Sequence, residues 1–93
     1  MTHKNIEQTV QKVTFSNEKS SIKFICVEPW AEEITVEAAQ KIALIGVGPS
    51  QGAQLDIEFS DGGLFVYAWR GAMIEVWIDG VLAETASAKF PSF

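Results

Sequence analysis

The residues whose types and spacing could support catalysis are Gly48-Pro49-Ser50-Gln51-Gly52, which match the Gly-x-Ser-x-Gly pattern of a serine nucleophile. In that pattern a strand precedes the serine, a helix follows it, and a histidine later in the chain accepts its proton. Here Ala53 to Ser60 alternate with a period of two, which predicts a strand instead of a helix. The single histidine, His3, precedes the motif. The sequence therefore predicts a plain loop at Ser50.

Other reactive side chains also lack the neighbours that their chemistry needs. The glycines from Gly46 onward are not followed by the Lys-Ser or Lys-Thr pair of a phosphate-binding loop. Cys26, the single cysteine, has no histidine or cation nearby to form a thiolate, so a buried small residue is expected. Zinc and copper sites built from His and Cys lack ligands. We therefore expect no metal, no cofactor and no enzymatic activity.

Two glutamates are brought together by the strongest turn signal in the chain, Asp79-Gly80, which lies between runs of alternating apolar residues. A two-residue type I′ turn there puts Trp77 opposite Leu82 and Glu75 opposite Glu84. Like charges directly opposite each other destabilise a strand pair. The glutamates therefore indicate either a site for a cation or basic partner, or a solvated face on which they splay apart.

Aromatic residues near these carboxylates are candidates for contact with a partner. An aromatic anchor beside polar groups is typical of protein interfaces, although Trp77 is equally open to a role in the core. Trp30 follows Glu28 and Pro29 at a strand end, where it either caps the open end of the core or is an exposed anchor. The candidate partner-binding residues are Trp77, Glu75, Glu84, Leu82, Trp30 and Glu28.

About eight short strands must position these residues, since no stretch of ten or more residues has the period of a helix. This pattern predicts one all-β domain, residues 1–93, folded as an antiparallel β-sandwich, with a small partly open β-barrel as the alternative. Residues 1–8 are expected to be frayed and residues 86–93 to form a tail. The strands are predicted around Val13–Phe15, Ile22–Cys26, Ile34–Val36, Ile42–Val47, Leu55–Phe59, Leu64–Trp69, Ala72–Ile78 and Val81–Thr85.

The pattern also predicts details of three of these segments. The apolar run Ile42–Val47 is typical of a strand buried on both faces, and Gly46–Gly52 is expected to be a loop. The last three strands are expected to form a meander with a two-residue turn at Arg70-Gly71; a bulge at Gly71 is the alternative. The two-residue turn gathers one apolar set on the core face: Phe65, Tyr67, Trp69, Ile74, Val76 and Ile78.

The overall charge excludes some classes of partner. Seven basic and 12 acidic residues give a net charge of −5, without the basic surface that nucleic acids or anionic membranes attract. The sequence has one cysteine, no secretory signal and no apolar run of about 18 residues. We therefore expect a cytoplasmic protein.

The segment Val27–Val36 contains Glu28-Pro29-Trp30 and an acidic loop, and is followed by the turns Trp69-Arg70-Gly71 and Asp79-Gly80. This arrangement resembles small uncharacterised bacterial β-sandwich proteins with a Glu-Pro-Trp strand end, over roughly Phe15 to Glu84. The resemblance implies a β-sandwich fold and transfers no functional residue.

The sequence thus favours a small, acidic, non-enzymatic domain that binds another protein or itself. Its acidity suits a basic partner, by analogy with immunity proteins that neutralise toxins. The alternative is small-molecule or carbohydrate binding on aromatic platforms. An acid/base enzyme that uses clustered glutamates ranks third, since no complete set of catalytic groups converges.

Overall fold

The computed structural model of the chain describes residues 7–19 and 21–83, which form two four-stranded β-sheets. The first sheet has the strand order β1-β4-β7-β8 and the second has the order β3-β2-β6-β5. The predicted all-β sandwich is therefore confirmed. Its strands are β1 (Gln8–Ser16), β2 (Phe24–Glu28), β3 (Glu32–Thr35), β4 (Lys41–Pro49), β5 (Asp56–Ser60), β6 (Gly63–Tyr67), β7 (Met73–Ile78) and β8 (Val81–Ala83).

The chain passes back and forth between the two sheets: after β1 it enters the second sheet at β2, and it crosses again before β4, β5 and β7. Among the described strands, the neighbouring pairs are antiparallel except β2 and β6, which run parallel. A parallel pair needs a crossover connection, which here runs through β3, β4 and β5. The core lies between the sheets and contains Ile25, Val27, Val36, Ile42, Leu44, Leu64, Val66, Ile74 and Val76.

The Asp79-Gly80 turn has the predicted geometry. Both residues have positive φ, 51° and 80°, as a type I′ turn requires. The predicted register follows, because Trp77 pairs with Leu82 in the strand ladder. Glu84 lies outside the described residues, as does the predicted tail at residues 86–93.

The predicted meander of the last three strands is wrong, because β6 and β7 belong to different sheets. The amide of Ala72 donates to the carbonyl of Trp69 at 3.0 Å, so Arg70-Gly71 does form a two-residue turn. However, only Gly71 has positive φ, at 83°, which fits a type II turn. Such a turn does not match the twist of a hairpin and splays the flanking strands apart.

This separation changes the predicted core set. Trp69, Ile74 and Val76 are buried as predicted, and Ile78 packs against the core. Phe65 and Tyr67 instead lie on the outer side of β6, because the register of β6 turns its other side chains, Leu64 and Val66, into the core. Tyr67 is consequently 37% exposed. The prediction that both aromatics face the core is wrong.

The predicted Gly46–Gly52 loop is also partly wrong, since β4 extends to Pro49. Gly46 and Gly48 lie in this strand because other groups approach the backbone closely there. A Cβ atom at Gly46 would lie 2.8 Å from the ring of Trp69, and one at Gly48 would lie 2.6 Å from the Cα atom of Ala72. The two glycines therefore serve packing between β4 and the segment that enters β7.

Candidate interaction surface

Strand β4 is apolar on both sides, but the described strands cover only one of them. Ile42 and Leu44 point inward and are buried. Ala43, Ile45 and Val47 alternate with these residues and are half-buried on the opposite side. The expectation of a strand buried on both faces is therefore wrong, because no other described strand packs over the outward side of the first sheet.

The register of the first sheet arranges its outward side chains in five rows, of which the two end rows, Gln8–Pro49 and Ser16–Lys41, are mainly polar. The three central rows carry most of the apolar side chains. We name the surface formed by these rows the outer face. Seven of its ten residues are apolar, although the outward positions of a sandwich are ordinarily polar. A contiguous apolar surface of this kind marks an interaction site in many proteins. The rows are Val10–Val47–Met73, Lys12–Ile45–Glu75 and Thr14–Ala43–Trp77–Leu82.

The outer face is accessible where a partner would touch it. Val10 is 63% exposed and Leu82 is 40% exposed, one at each edge of the sheet. A groove of about 640 Å³ runs beside Trp77 and over the small side chain of Ala43, toward Ser16 and Lys41 at the end of the sheet. The groove forms because Ala43 lies between larger neighbours in its row.

Trp77 is half-buried on this face, and its indole is held in one orientation. The Nε1 atom of Trp77 donates a hydrogen bond to Oε1 of Glu75 at 3.0 Å. Trp77 and Glu75 are two residues apart on β7, so their side chains project from the same side of the strand. The hydrogen bond fixes a large aromatic surface and a carboxylate next to each other.

The structure brings three of the predicted partner-binding residues together and separates two others from them. Trp77, Glu75 and Leu82 share the outer face of the first sheet. Glu28 lies at the end of β2 in the second sheet. Trp30 is in the following turn and packs against the core, in agreement with the interpretation that it caps the sandwich.

The outward side of the second sheet differs in chemistry, because carboxylates surround a thiol and a phenol there. Cys26 is 6% exposed, and its Sγ lies 3.7 Å from Oε2 of Glu28. Burial raises the pKa of the Cys26 thiol, and the charges of Glu28 and Glu33 raise it further. Desolvation raises the pKa of Tyr67 as well, and Glu58, which accepts a hydrogen bond from its hydroxyl at 3.3 Å, adds to the shift. Both groups are therefore held neutral.

The Cys26 thiol is expected to react with dithionitrobenzoate at pH 8 at least about tenfold more slowly in the folded protein than in guanidinium, because the reactive form is the thiolate. Burial and the raised pKa of Cys26 both lower the reactive fraction in the folded state. The rate of colour development measures the reaction, and free cysteine provides the reference. Equal rates in the folded and unfolded states would contradict the described environment.

Ser50 does not lie between a strand and a helix. It follows the last residue of β4, and its backbone amide donates to the carbonyl of Glu7 at 2.9 Å. The next element is β5, so the local geometry differs from that of a nucleophile-bearing turn. Among residues 7–19 and 21–83, no three His, Cys, Asp or Glu side chains are grouped so as to hold a metal ion.

A second apolar groove, of about 370 Å³, lies where the sandwich opens between the edge strands β1 and β5. Val13 and Phe15 line it from the first sheet, and Ile57 and Phe59 line it from the second. Phe59 is 54% exposed. The described residues leave this side of the core accessible.

The part of the outer face that the sequence did not reveal comes from β1 and β4. The hairpin alone indicated Trp77, Leu82 and Glu75. The local signals for the rest were the apolar run of β4 and the alternation of Val10 and Lys12 in β1. Only the register of β1 against β4 shows that these residues extend the same surface.

Comparisons with known protein families, with curated proteins and with solved structures gave no match for this chain. Within the described part of the chain, no helix has the length and apolar character needed to cross a membrane.

Proposed function

We propose that this chain is a non-enzymatic protein-binding domain that makes contact through the outer face of its first sheet. The observation that carries the proposal is the chemistry of that face: seven of ten side chains are apolar, and no described strand covers them. Trp77 is the central aromatic anchor, because large aromatic residues contribute most to binding at protein interfaces. The cytoplasm remains the proposed location, since Cys26 is a free thiol.

The charges around this face favour an apolar contact over a purely electrostatic one. Lys12 and Glu75 lie in the same row and balance each other, and Lys41 adds one positive charge beyond the last row. The acidic excess lies elsewhere, for example at Glu28 and Glu33 on the second sheet. Binding through the outer face should therefore depend weakly on ionic strength, whereas neutralisation of a basic partner by the carboxylates should weaken steeply as salt is added.

The experiment that tests the proposal compares a double variant with a single control substitution, all at exposed apolar residues. Val10→Ser with Leu82→Ser makes the outer face polar and should abolish its interactions at little cost in stability, since both side chains are substantially exposed. Val81→Ser is the matched control, because Val81 is 68% exposed and is also on an edge strand of the first sheet. Its ladder partner is Ile78, so it lies on the opposite side from Trp77 and Leu82.

The wild-type chain and each variant are immobilised separately. The readout is which proteins of the source cell each one binds, and whether each one binds the purified chain. The expected result is a set of bound proteins that the wild type and Val81→Ser share and that the double variant loses. Identical binding by all three chains would contradict the proposed role of the outer face.

The groove beside Trp77 supports a second candidate function, the binding of a small ligand. Its volume of about 640 Å³ is within the range of ligand sites, and the indole offers a stacking platform. Thr14 and Ser16 provide hydroxyl groups, and Lys12 and Lys41 provide cations. A sugar acid would match these groups. A change in Trp77 fluorescence on titration with glucuronate, absent in the matched Trp77→Phe variant, would favour this candidate.

A further inference from the structure

One described row of the outer face carries both a cation and a carboxylate, one on each side of the central strand β4. That row runs Lys12–Ile45–Glu75 across β1, β4 and β7. The cation and the carboxylate therefore lie at equal distances, one strand spacing each, on either side of the central strand. No described residue forms an ion pair with Lys12.

We infer that two copies pack their outer faces together about a two-fold axis that runs along β4. This inference rests on the proposed function and identifies the partner of the outer face as a second copy of the chain. A rotation about this axis places β1 of one copy over β7 of the other and keeps each row opposite itself. Lys12 of each copy then faces Glu75 of the other, and the two Ile45 side chains meet at the axis.

The sizes of the side chains match in the same arrangement. In one outer row the short Thr14 of one copy lies opposite the large Trp77 of the other, so the indole has space. In the other outer row Val10 of one copy lies opposite Met73 of the other. Both side chains are apolar, and the flexible Met side chain can adapt to its neighbour. A two-fold axis perpendicular to the strands, at the level of the Lys12–Ile45–Glu75 row, would instead place Lys12 of one copy opposite Lys12 of the other. The axis along β4 forms two Lys12–Glu75 pairs and one like-charge pair, Lys41 with its own copy at the end of β4, whereas the crosswise axis pairs both Lys12 and Glu75 with their own copies. Charge therefore favours the axis along β4.

The dimer is expected to be weak. Strands lie about 4.8 Å apart and residues on one face about 7 Å apart along a strand, so two faces of this size bury roughly 700 Å² together before any rim is counted. That area is below the roughly 1,000 Å² expected of a stable specific interface, so the contact is expected to be weak and transient. Association should therefore depend on protein concentration, and sedimentation equilibrium up to about 1 mM protein is needed to measure it.

A charge-swap experiment tests the pairing. Lys12→Glu and Glu75→Lys should each weaken dimerisation at least about tenfold, because each change places like charges together twice in a symmetric dimer. The combination of both substitutions should restore the affinity to within about threefold of the wild type. Glu75→Gln preserves an acceptor for Trp77 and should have a smaller effect than Glu75→Lys. Lys19→Glu, in an exposed turn away from the outer face, controls for net charge.

Cross-linking tests the position of the axis. Ala43 lies on β4, so two copies bring this position together, and Ala43→Cys should be joined efficiently by a short bismaleimide. Leu82 lies two strands from β4, so two copies hold this position about 19 Å apart across the axis, and Leu82→Cys should not be joined. The wild-type chain, with its buried Cys26, is the blank.

Each outcome decides one of the two claims. A chain that stays monomeric up to about 1 mM overturns the inference, and the binding experiment with Val10→Ser and Leu82→Ser then tests the proposed function separately. A dimer that the double charge swap does not restore, or that cross-links through Leu82→Cys, overturns the axis along β4. A dimer that survives Val10→Ser, at a position opposite Met73 of the second copy, contradicts the proposed interface as well.

Discussion

Replacement of Asn17 by alanine is expected to lower the free energy of unfolding by about 3 kcal/mol. Asn17 is the buried polar residue at the end of β1 and is 2% exposed. Its Nδ2 group donates to the carbonyls of Ile22 at 2.8 Å and Glu37 at 3.0 Å, and its Oδ1 accepts from the amide of Ile22 at 3.1 Å. Alanine removes all three bonds at once and leaves their backbone partners unsatisfied, which costs more than the loss of the bonds themselves.

Urea denaturation of the variant measures this effect. Gln40→Ala is the matched control, because the Gln40 amide makes one exposed hydrogen bond, from the backbone amide of Glu37 at 2.8 Å. It should cost no more than about 1 kcal/mol. Asn17→Asp should also destabilise strongly, since its carboxylate would face two carbonyl oxygens in place of the amide donors. A loss at Asn17→Ala no larger than at Gln40→Ala would show that Asn17 does not tie these segments together.

The local elements of this fold could be predicted from the sequence because short-range chemistry determines them. Asp79-Gly80 gives a type I′ turn since both positions accept positive φ, and the pairing of Trp77 with Leu82 follows directly. Period-two alternation located the strands to within a few residues, except at β1, which begins at Gln8 although the predicted strand began at Val13. Their number and the all-β class follow from the same signals.

The assignment of strands to sheets could not be predicted in the same way. Arg70-Gly71 places its glycine where a type II turn needs positive φ, but this local signal does not determine to which sheet each flanking strand belongs. The parallel pairing of β2 with β6 joins segments about 40 residues apart, and no local pattern encodes such a contact. The predicted burial of Phe65 and Tyr67 failed for this reason.

The same distinction applies to the candidate interface. Its hairpin half, with Trp77, Glu75 and Leu82, follows from one turn. Its other half depends on the pairing of β1 with β4, and this non-local register places Lys12 and Glu75 in one row. The sequence predicted that β4 is buried on both faces, whereas in the structure its outward side is the centre of the outer face. An apolar strand face that the fold leaves uncovered is the clearest structural sign of a partner.

Replacement of Trp77 by alanine is expected to weaken association through the outer face by about thirtyfold or more, the effect of removing a central aromatic anchor. Its cost in folding stability should be only about 1–2 kcal/mol, because the indole is half-buried and its one described hydrogen bond is to Glu75 on the same strand. Sedimentation equilibrium measures association, and urea denaturation measures stability, on the same preparation.

Trp69→Ala is the matched control for this prediction. Trp69 is 6% exposed in the core, and its Nε1 donates to the carbonyl of Pro49 at 2.7 Å. Its loss should cost about 3–5 kcal/mol, the range for a buried aromatic side chain. The two tryptophans therefore separate stability from binding within one chain. If Trp77→Ala destabilises as much as Trp69→Ala and leaves association unchanged, Trp77 belongs to the core and is not a contact residue of the outer face.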